Sequence, residues 1–176
     1  MRWYNFEIPR WDSQNAFWGL RKYDIHTGID LFADEGSSVF SVLDGEVVYI
    51  EKFTGPNAQP PSSWWNETEA IFIKTKVGII LYGELVPCVR VWDTISAGQK
   101  IGELKSVLKE KRDTWDIALP PSMLHIELYE NDFPIEKWGV IWNYAEGTQE
   151  KIPKEQPEGL KNPLAILEYT KIYGKE

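Results

Sequence analysis

Hydrophobic residues occur along this chain in short runs that are typical of β-strands. The runs are rich in Val, Ile, Tyr and Phe and are separated by turn signals such as Asp-Gly and Lys-Val-Gly. The strand-like runs cover residues 23–32, 37–53, 69–86 and 122–130. This pattern predicts a mainly β fold built on an antiparallel sheet.

Helical signals are few. A short helix is predicted near 103–111, after a stretch that begins as turn and strand. A C-terminal helix is predicted over about 162–173, because Asn162 is a favourable N-cap and Pro163 suits the first helical position.

Two loop-like regions interrupt the strand pattern. The first, 54–67, is rich in Pro, Ser and Asn and carries the adjacent Trp64 and Trp65. These tryptophans either line or plug a substrate groove or, as we favour, pack on the surface of their own domain. The second, about 131–161, is a polar insertion that follows the core at about 20–130. The length of 176 residues predicts a single domain, residues 1–176.

Composition narrows the classes of partner. The chain is 43% hydrophobic and 26% charged, which suits a packed core, and its net charge of -8 disfavours a nucleic-acid partner. No apolar run reaches 18 residues, so no membrane span is predicted. The N-terminus lacks the zones of a signal peptide, and we expect a cytoplasmic protein as the sequence stands. Export by a trimmed signal, or a cell-lysis context, is the alternative. The sequence indicates no oligomeric state.

The chain has two histidines, and the first opens the stretch HTGID. If 23–32 is a strand, its period of two places His26, Gly28 and Asp30 on one face. Gly28 leaves the space between the imidazole and the carboxylate open, so both could converge on one metal ion. Zinc accepts histidine nitrogen and aspartate oxygen at about 2 Å.

The second histidine lies in the strand-like run 122–130. Alternation there puts Met123, His125 and Glu127 on the face opposite the leucines and isoleucine. A single histidine in either place is more often a packed, hydrogen-bonded ring. Two histidines and an aspartate, however, form the three-ligand set of a catalytic zinc site with one open position.

Four blocks then give the sequence a family resemblance. HTGID and the G-x-x-V and G-x-V stretches after it resemble the first motif of the lysostaphin-type zinc metallopeptidases, H-x-G-x-D. LYGELV is similar to their Y-x-H-L block, MLHIELYE to their H-x-H-F-E strand, and KNPLAIL to their (D/N)-P ending. The blocks come in the family's order. The resemblance implies the family's barrel-sandwich hybrid of antiparallel β-sheet with a short C-terminal helix, and cleavage of peptidoglycan cross-bridges.

The resemblance also implies which residues form the site. The three zinc ligands of the family match His26, Asp30 and His125, which implies one Zn²⁺ per chain. The two helper histidines of the family fall on Glu84 and Met123.

These two substitutions change the expected chemistry. A methionine does no proton transfer and is a poor zinc ligand. Glu84 could be a general base, as the glutamate of H-E-x-x-H enzymes is, a fourth ligand that closes the site, or a partner of a ligand histidine. Tyr82 shares its strand face if the alternation continues, so Tyr82 and Met123 are expected to line the substrate groove.

Three functions remain open at this point. The first is an atypical zinc metallopeptidase-like hydrolase acting on a peptide substrate, with peptidoglycan cross-bridges as the implied target. The second is an inactive metal-binding or interaction module. The third, a glucose-type phosphocarrier, shares an H-x-G-I-D stretch but has its blocks in a different order.

Overall fold

The computed structural model describes residues 8–21, 25–59, 61–108, 120, 122–138 and 156–167. Within these ranges the chain forms nine strands, a short 3-10 helix at Ile135–Lys137 and a helical segment at 164–167. The strands are β1 (Ile29–Ala33), β2 (Ser38–Phe40), β3 (Gly45–Thr54), β4 (Thr68–Thr75), β5 (Ile79–Pro87), β6 (Thr94–Ile95), β7 (Lys100–Leu104), β8 (Ser122–Tyr129) and β9 (Leu160–Lys161).

The strands form one antiparallel sheet in the order β1-β8-β5-β4-β3-β6. Strand β7 pairs with both β5 and β2, and β9 pairs with β8. The mainly β, antiparallel architecture predicted from the sequence is therefore confirmed. Strands β4 and β5 are joined by the predicted Lys-Val-Gly turn, in which Gly78 has φ of +150°.

The two faces of the central strands bury different sets of side chains. Alternate residues of β8, Leu124, Ile126 and Leu128, pack into the larger hydrophobic cluster. The opposite face packs into a second, aromatic cluster that contains Phe53, Phe72, Tyr129 and Trp138. The predicted alternation along β8 is thus observed, and burial of each large aliphatic side chain stabilises the sheet by roughly 1.5–3 kcal/mol.

Three local predictions need correction. The strand expected at 23–32 begins only at Ile29, and His26 lies in the connection before it. The run expected at 37–53 is divided into two strands, β2 and β3, which pair with different strands. The helix expected near 103–111 is wrong over its described part, because 100–104 is strand β7 and 105–108 is not helical.

The C-terminal helix begins close to the predicted position. Residues 164–167 are helical, and the backbone N–H of Leu164 donates to Asn162 Oδ1 at 2.9 Å, as the predicted N-cap requires. The remainder of the prediction, 168–173, lies outside the described residues.

Candidate metal centre

The centre lies where β1 and β8 run side by side. In their antiparallel register Asp30 is directly opposite His125, so both side chains project from the same face of the sheet. On the other side of β8, His125 is opposite Gly83 of β5. The absence of a side chain at Gly83 lets the Phe53 ring approach, and that ring lies 5.4 Å from the His125 ring, centroid to centroid.

His26 reaches the same point from the connection before β1. His26 Nε2 lies 3.0 Å from His125 Nδ1 and 3.0 Å from Asp30 Oδ1. Asp30 Oδ1 lies 2.8 Å from His125 Nδ1. The structure therefore brings the three predicted ligand residues together, with one donor atom of each in a compact triangle. All three side chains are buried.

The chain segment before the histidine determines which nitrogen of His26 faces the triangle. His26 Nδ1 lies 3.0 Å from the carbonyl oxygen of Ala16, which can only accept, so Nδ1 carries the proton. The backbone is tied down as well, since the N–H of His26 donates to Gly19 and the N–H of Trp18 donates to the carbonyl of His26. Nε2 of a neutral His26 is then left with its lone pair directed at the triangle.

His125 is oriented by the glutamate two residues further along β8. His125 Nε2 lies 3.0 Å from Glu127 Oε1, so this nitrogen carries a proton and Nδ1 faces Asp30 and His26. Glu127 is fully buried and also accepts hydrogen bonds from Thr27 Oγ1, from the Tyr129 hydroxyl and, at 3.1 Å, from Trp138 Nε1. A carboxylate that holds a ligand histidine in one tautomer is the usual support of a metal site.

These contacts shift the titration of the cluster. Burial lowers the pKa of His26 and keeps the ring neutral. Burial alone would raise the pKa of Asp30, but the hydrogen bond from His125 holds it well below its usual range. Burial opposes protonation of His125, yet its hydrogen bonds to Asp30 and Glu127 raise its pKa to about 10. In the metal-free protein a proton therefore occupies the place between His125 and Asp30.

Arg21 is a residue of the centre that the sequence analysis missed. Its Nη2 donates to Asp30 Oδ2, and its Nε donates to the carbonyl of Gln14 at 3.0 Å. The side chain is only 28% exposed. In the sequence, Arg21 is marked only by its position five residues before the first histidine. That position does not indicate a role until the segment 8–21 is seen to fold against β1.

Glu84 reaches the centre through an irregularity of strand β5. Leu85 is opposite Glu69 and Tyr82 is opposite Ile71, so Gly83 and Glu84 together face the single residue Ala70 of β4. This is a β-bulge, and Glu84 has φ of +65°, a conformation that non-glycine residues seldom adopt. The bulge turns the Glu84 side chain away from the hydrophobic cluster that contains its neighbours Tyr82 and Leu85.

The Glu84 carboxyl group is buried and senses the charges of Asp30 and His125. Its Oε2 atom makes no hydrogen bond within the described part of the chain. Burial, together with the nearby negative charge of Asp30, raises the pKa of Glu84 to about 8. A buried carboxyl oxygen without a donor is expensive, by about 1–3 kcal/mol or more, and such groups concentrate at functional sites.

Met123 and Tyr82, the two strand residues predicted to line the substrate groove, lie in different environments. Met123 is half-buried on the same face of β8 as His125 and is opposite Phe32, so it stands beside the centre. Tyr82 is fully buried in the larger cluster, and its hydroxyl accepts from the N–H of Val42 at 3.0 Å. The expectation that Tyr82 shares a face with Glu84 and lines a groove is therefore corrected, because the bulge changes the face between them.

The predicted aromatic pair lies in the loop between β3 and β4. Trp64 is 59% exposed, Trp65 is partly buried, and their rings meet edge to face with centroids 6.0 Å apart. Trp65 also forms a backbone bridge with Leu108. These contacts lie within the loop and its neighbouring segment. Whether the two tryptophans line or plug a substrate groove stays a prediction.

The donor set fits zinc. Ligand atoms that bind one zinc ion at about 2.0–2.2 Å must lie within about 4.4 Å of each other, and the three atoms of the triangle are all 3.0 Å or less apart. Two imidazole nitrogens with chosen tautomers and one carboxylate oxygen are borderline-hard ligands of the kind that zinc prefers.

Comparison with protein families agrees with this site. The model of peptidase family M23 matches residues 24–137, which is well over half of the chain. The chain therefore belongs to peptidase family M23. All three residues of the triangle, and Glu84, lie inside the matched range, whereas Arg21 lies before it.

Solved structures of this family share the fold. The prophage-encoded M23 protein EnpA of Enterococcus faecalis is similar over 93% of this chain and 92% of its own, with 17% identity and a TM-score of 0.53. LytU is similar over 95% and 88%, with 15% identity and a TM-score of 0.52. The antimicrobial peptidase lysostaphin of Staphylococcus simulans matches over 86% of this chain and 47% of its own, with 20% identity and a TM-score of 0.51.

No curated protein sequence matches this chain significantly. Among the described residues, none of the helical segments has the length and apolar character that crossing a membrane requires.

Proposed function

We propose that this chain is a zinc-dependent peptidase that hydrolyses peptide bonds of peptidoglycan, with Glu84 as the general base. Membership of peptidase family M23 supports the reaction class, and the named catalytic roles rest on the geometry of the centre. The observation that carries the proposal is the buried Glu84 carboxyl group, whose Oε2 atom has no hydrogen-bond partner among the described residues and whose pKa is raised by burial and by the charge of Asp30.

The triangle would hold the metal through His26 Nε2, Asp30 Oδ1 and His125 Nδ1. When bound there, zinc polarises a scissile carbonyl group and lowers the pKa of water toward about 7. The remaining roles fall to the protein. Ala16 and Glu127 keep the two histidines in the tautomers that ligation requires.

Glu84 is suited to accept a proton at this place. A general base works best when its pKa lies near the pH of the reaction, and burial raises the pKa of Glu84 to about 8. Met123 cannot exchange a proton. Of the two residues at the family's helper positions, Glu84 is therefore the one that can accept a proton. If Glu84 instead bound the metal as a fourth ligand, it would close the site, and the protein would be the inactive metal-binding module.

The phosphocarrier alternative is less well supported. A phosphocarrier histidine must be reached by a donor protein and an acceptor, whereas both histidines here are buried with both ring nitrogens engaged. A peptidoglycan substrate, in turn, requires that the protein reach the cell wall. We propose that it does so by export or cell lysis, which is the alternative to the cytoplasmic location expected from the sequence.

The test is cleavage of purified peptidoglycan and of soluble cross-bridge peptides, followed by mass spectrometry of the products. Wild type, Glu84→Gln and Glu46→Gln would be compared after loading with one equivalent of zinc. Glu46 is an exposed residue of β3 and serves as the matched control.

The proposal predicts cleavage by wild type and by Glu46→Gln, and a loss of roughly 100-fold or more in Glu84→Gln at unchanged zinc content. Equal turnover in Glu84→Gln would remove the general-base role. A zinc-loaded wild type that cleaves none of these substrates would favour the inactive module.

A further inference from the structure

Arg21 places a positive charge against one oxygen of the candidate metal ligand Asp30. The guanidinium Nη2 donates to Asp30 Oδ2, while Oδ1 of the same carboxylate faces His26 Nε2 at 3.0 Å and His125 Nδ1 at 2.8 Å. The two oxygens of Asp30 therefore have separate partners. One belongs to the triangle and the other belongs to Arg21.

The Arg21 side chain is fixed by a second bond. Its Nε donates to the carbonyl of Gln14, and the backbone N–H of Asp30 donates to the carbonyl of the next residue, Asn15. The segment 14–21 thus forms hydrogen bonds with both the backbone N–H and the carboxylate of Asp30. A planar guanidinium presents its N–H groups in a rigid fork, so occupying Nε also fixes the direction of Nη2.

From this arrangement we infer that Arg21 is a positioning residue that restricts Asp30 to one ligand oxygen. The inference deepens the proposed function and rests on its zinc site. A carboxylate can bind a metal through one oxygen or through both, and the hydrogen bond and positive charge of Arg21 at Oδ2 compete with a second metal bond there. Restricting Asp30 to one bond limits the protein to three donor atoms from the triangle. That count leaves a coordination position for substrate or water, as a catalytic site requires.

Removing Arg21 should change how the metal is coordinated, and this effect can be measured without an activity assay. Loss of the guanidinium would free Oδ2, and Asp30 could then bind through both oxygens. The coordination number of the metal would rise and the site would become less tetrahedral. Supporting residues of this kind commonly change metal affinity by about 10–100-fold.

Cobalt substitution tests this directly, because tetrahedral Co²⁺ absorbs visible light much more strongly than five- or six-coordinate Co²⁺. Full-length wild type, Arg21→Met, Arg21→Lys and Arg10→Met would be titrated with Co²⁺, and zinc affinity would be measured by chelator competition. Among the described residues the Arg10 side chain pairs with the nearby Asp12 on an exposed surface, so Arg10→Met is the matched control.

We expect strong absorption from wild type and Arg10→Met. Arg21→Met should show clearly weaker bands and about 10–100-fold weaker zinc binding. Arg21→Lys should recover part of both, because an ammonium group can still donate to Oδ2 without the fixed direction. Should Arg21→Met lose its near-UV circular dichroism, the Arg21→Lys comparison carries the test, with a shift in spectrum and affinity relative to wild type as the required result.

Two failures are distinguishable. Metal binding by wild type with identical spectra and affinities in the Arg21 variants would overturn this inference and leave the proposed function intact. A wild type that binds neither Co²⁺ nor Zn²⁺ would overturn both.

Discussion

Gly28 lies directly against the imidazole of His125. A Cβ atom at this position would be 2.7 Å from His125 Nε2 and 2.3 Å from the carbonyl oxygen of Ile126, both far inside van der Waals contact. The glycine of the H-x-G-x-D motif is therefore explained by close approach between the connection before β1 and strand β8. It leaves room for the hydrogen bond from His125 to Glu127.

The first prediction concerns this contact. Gly28→Ala should displace the His125 ring and weaken zinc binding by at least tenfold, and overpacking should destabilise the protein by about 1–3 kcal/mol. Gly45→Ala is the matched control, because its Cβ would lie 2.5 Å from the carbonyl oxygen of Lys74 in a strand pair that contributes nothing to the triangle. Chelator competition and urea denaturation measure the two effects. Equal zinc affinities in both variants would contradict the role assigned to Gly28.

The second prediction concerns Glu127. Burial would raise the pKa of this carboxyl group, but its hydrogen bonds, above all the one with His125, lower it, so the group is ionised. In Glu127→Gln an amide N–H₂ would face groups that all donate. We expect a loss of about 3–5 kcal/mol of unfolding free energy and zinc binding about 10–100-fold weaker.

Urea denaturation and chelator competition check this, with the exposed Glu103→Gln on β7 as control. Wild-type zinc affinity in a folded Glu127→Gln protein would show that the glutamate does not orient the histidine.

The third prediction is a pH dependence of stability. Below pH about 4.5 Glu84 is protonated in both the folded and the unfolded metal-free chain, so it contributes nothing. Between 4.5 and about 8 the unfolded chain releases this proton and the folded chain retains it, so the wild type loses stability as pH rises.

Glu84→Gln removes the ionisable group. The metal-free variant should match wild type near pH 4 and exceed it by on the order of 3 kcal/mol at pH 8. Urea unfolding at the two pH values measures the difference, with Glu46→Gln as the exposed control. A difference that does not change with pH would mean that Glu84 is not held in a buried, protonated form.

The fourth prediction concerns proton release on metal binding. With its pKa raised to about 10 by Asp30 and Glu127, His125 carries a proton on Nδ1 in the metal-free protein at neutral pH. Zinc must displace that proton, so its apparent affinity should rise by up to about tenfold per pH unit until pH approaches 10. Calorimetric titration at pH 7 in buffers of different ionisation enthalpy should show about one proton released per zinc. Binding without proton release would contradict the assigned ligand atom.

Much of this centre could be predicted from the sequence because its ligands lie in short motifs. His26 and Asp30 are four residues apart, and the register of β1 with β8 adds His125. The reasoning that led to them was partly wrong, however. His26 is not on a strand, and it converges with Asp30 because the 16–19 segment ties down its backbone and ring.

The remaining features depend on tertiary contacts that no local pattern encodes. A period of two along β5 predicts that Tyr82 and Glu84 share a face, and a single inserted residue at the bulge reverses this. Arg21 is recognisable only once 8–21 is seen to pack against β1. Likewise, Trp138 lies 11 residues after Glu127 and outside the motifs, yet its Nε1 donates to Glu127.

The central claim is that His26, Asp30 and His125 bind one zinc ion. The most direct measurement is elemental analysis of untagged protein after zinc loading and gel filtration, for wild type and for His125→Ala, with folding checked by circular dichroism. The account predicts close to one zinc per chain in wild type and almost none in the folded variant. No zinc in wild type, or an equal amount in both, would contradict it.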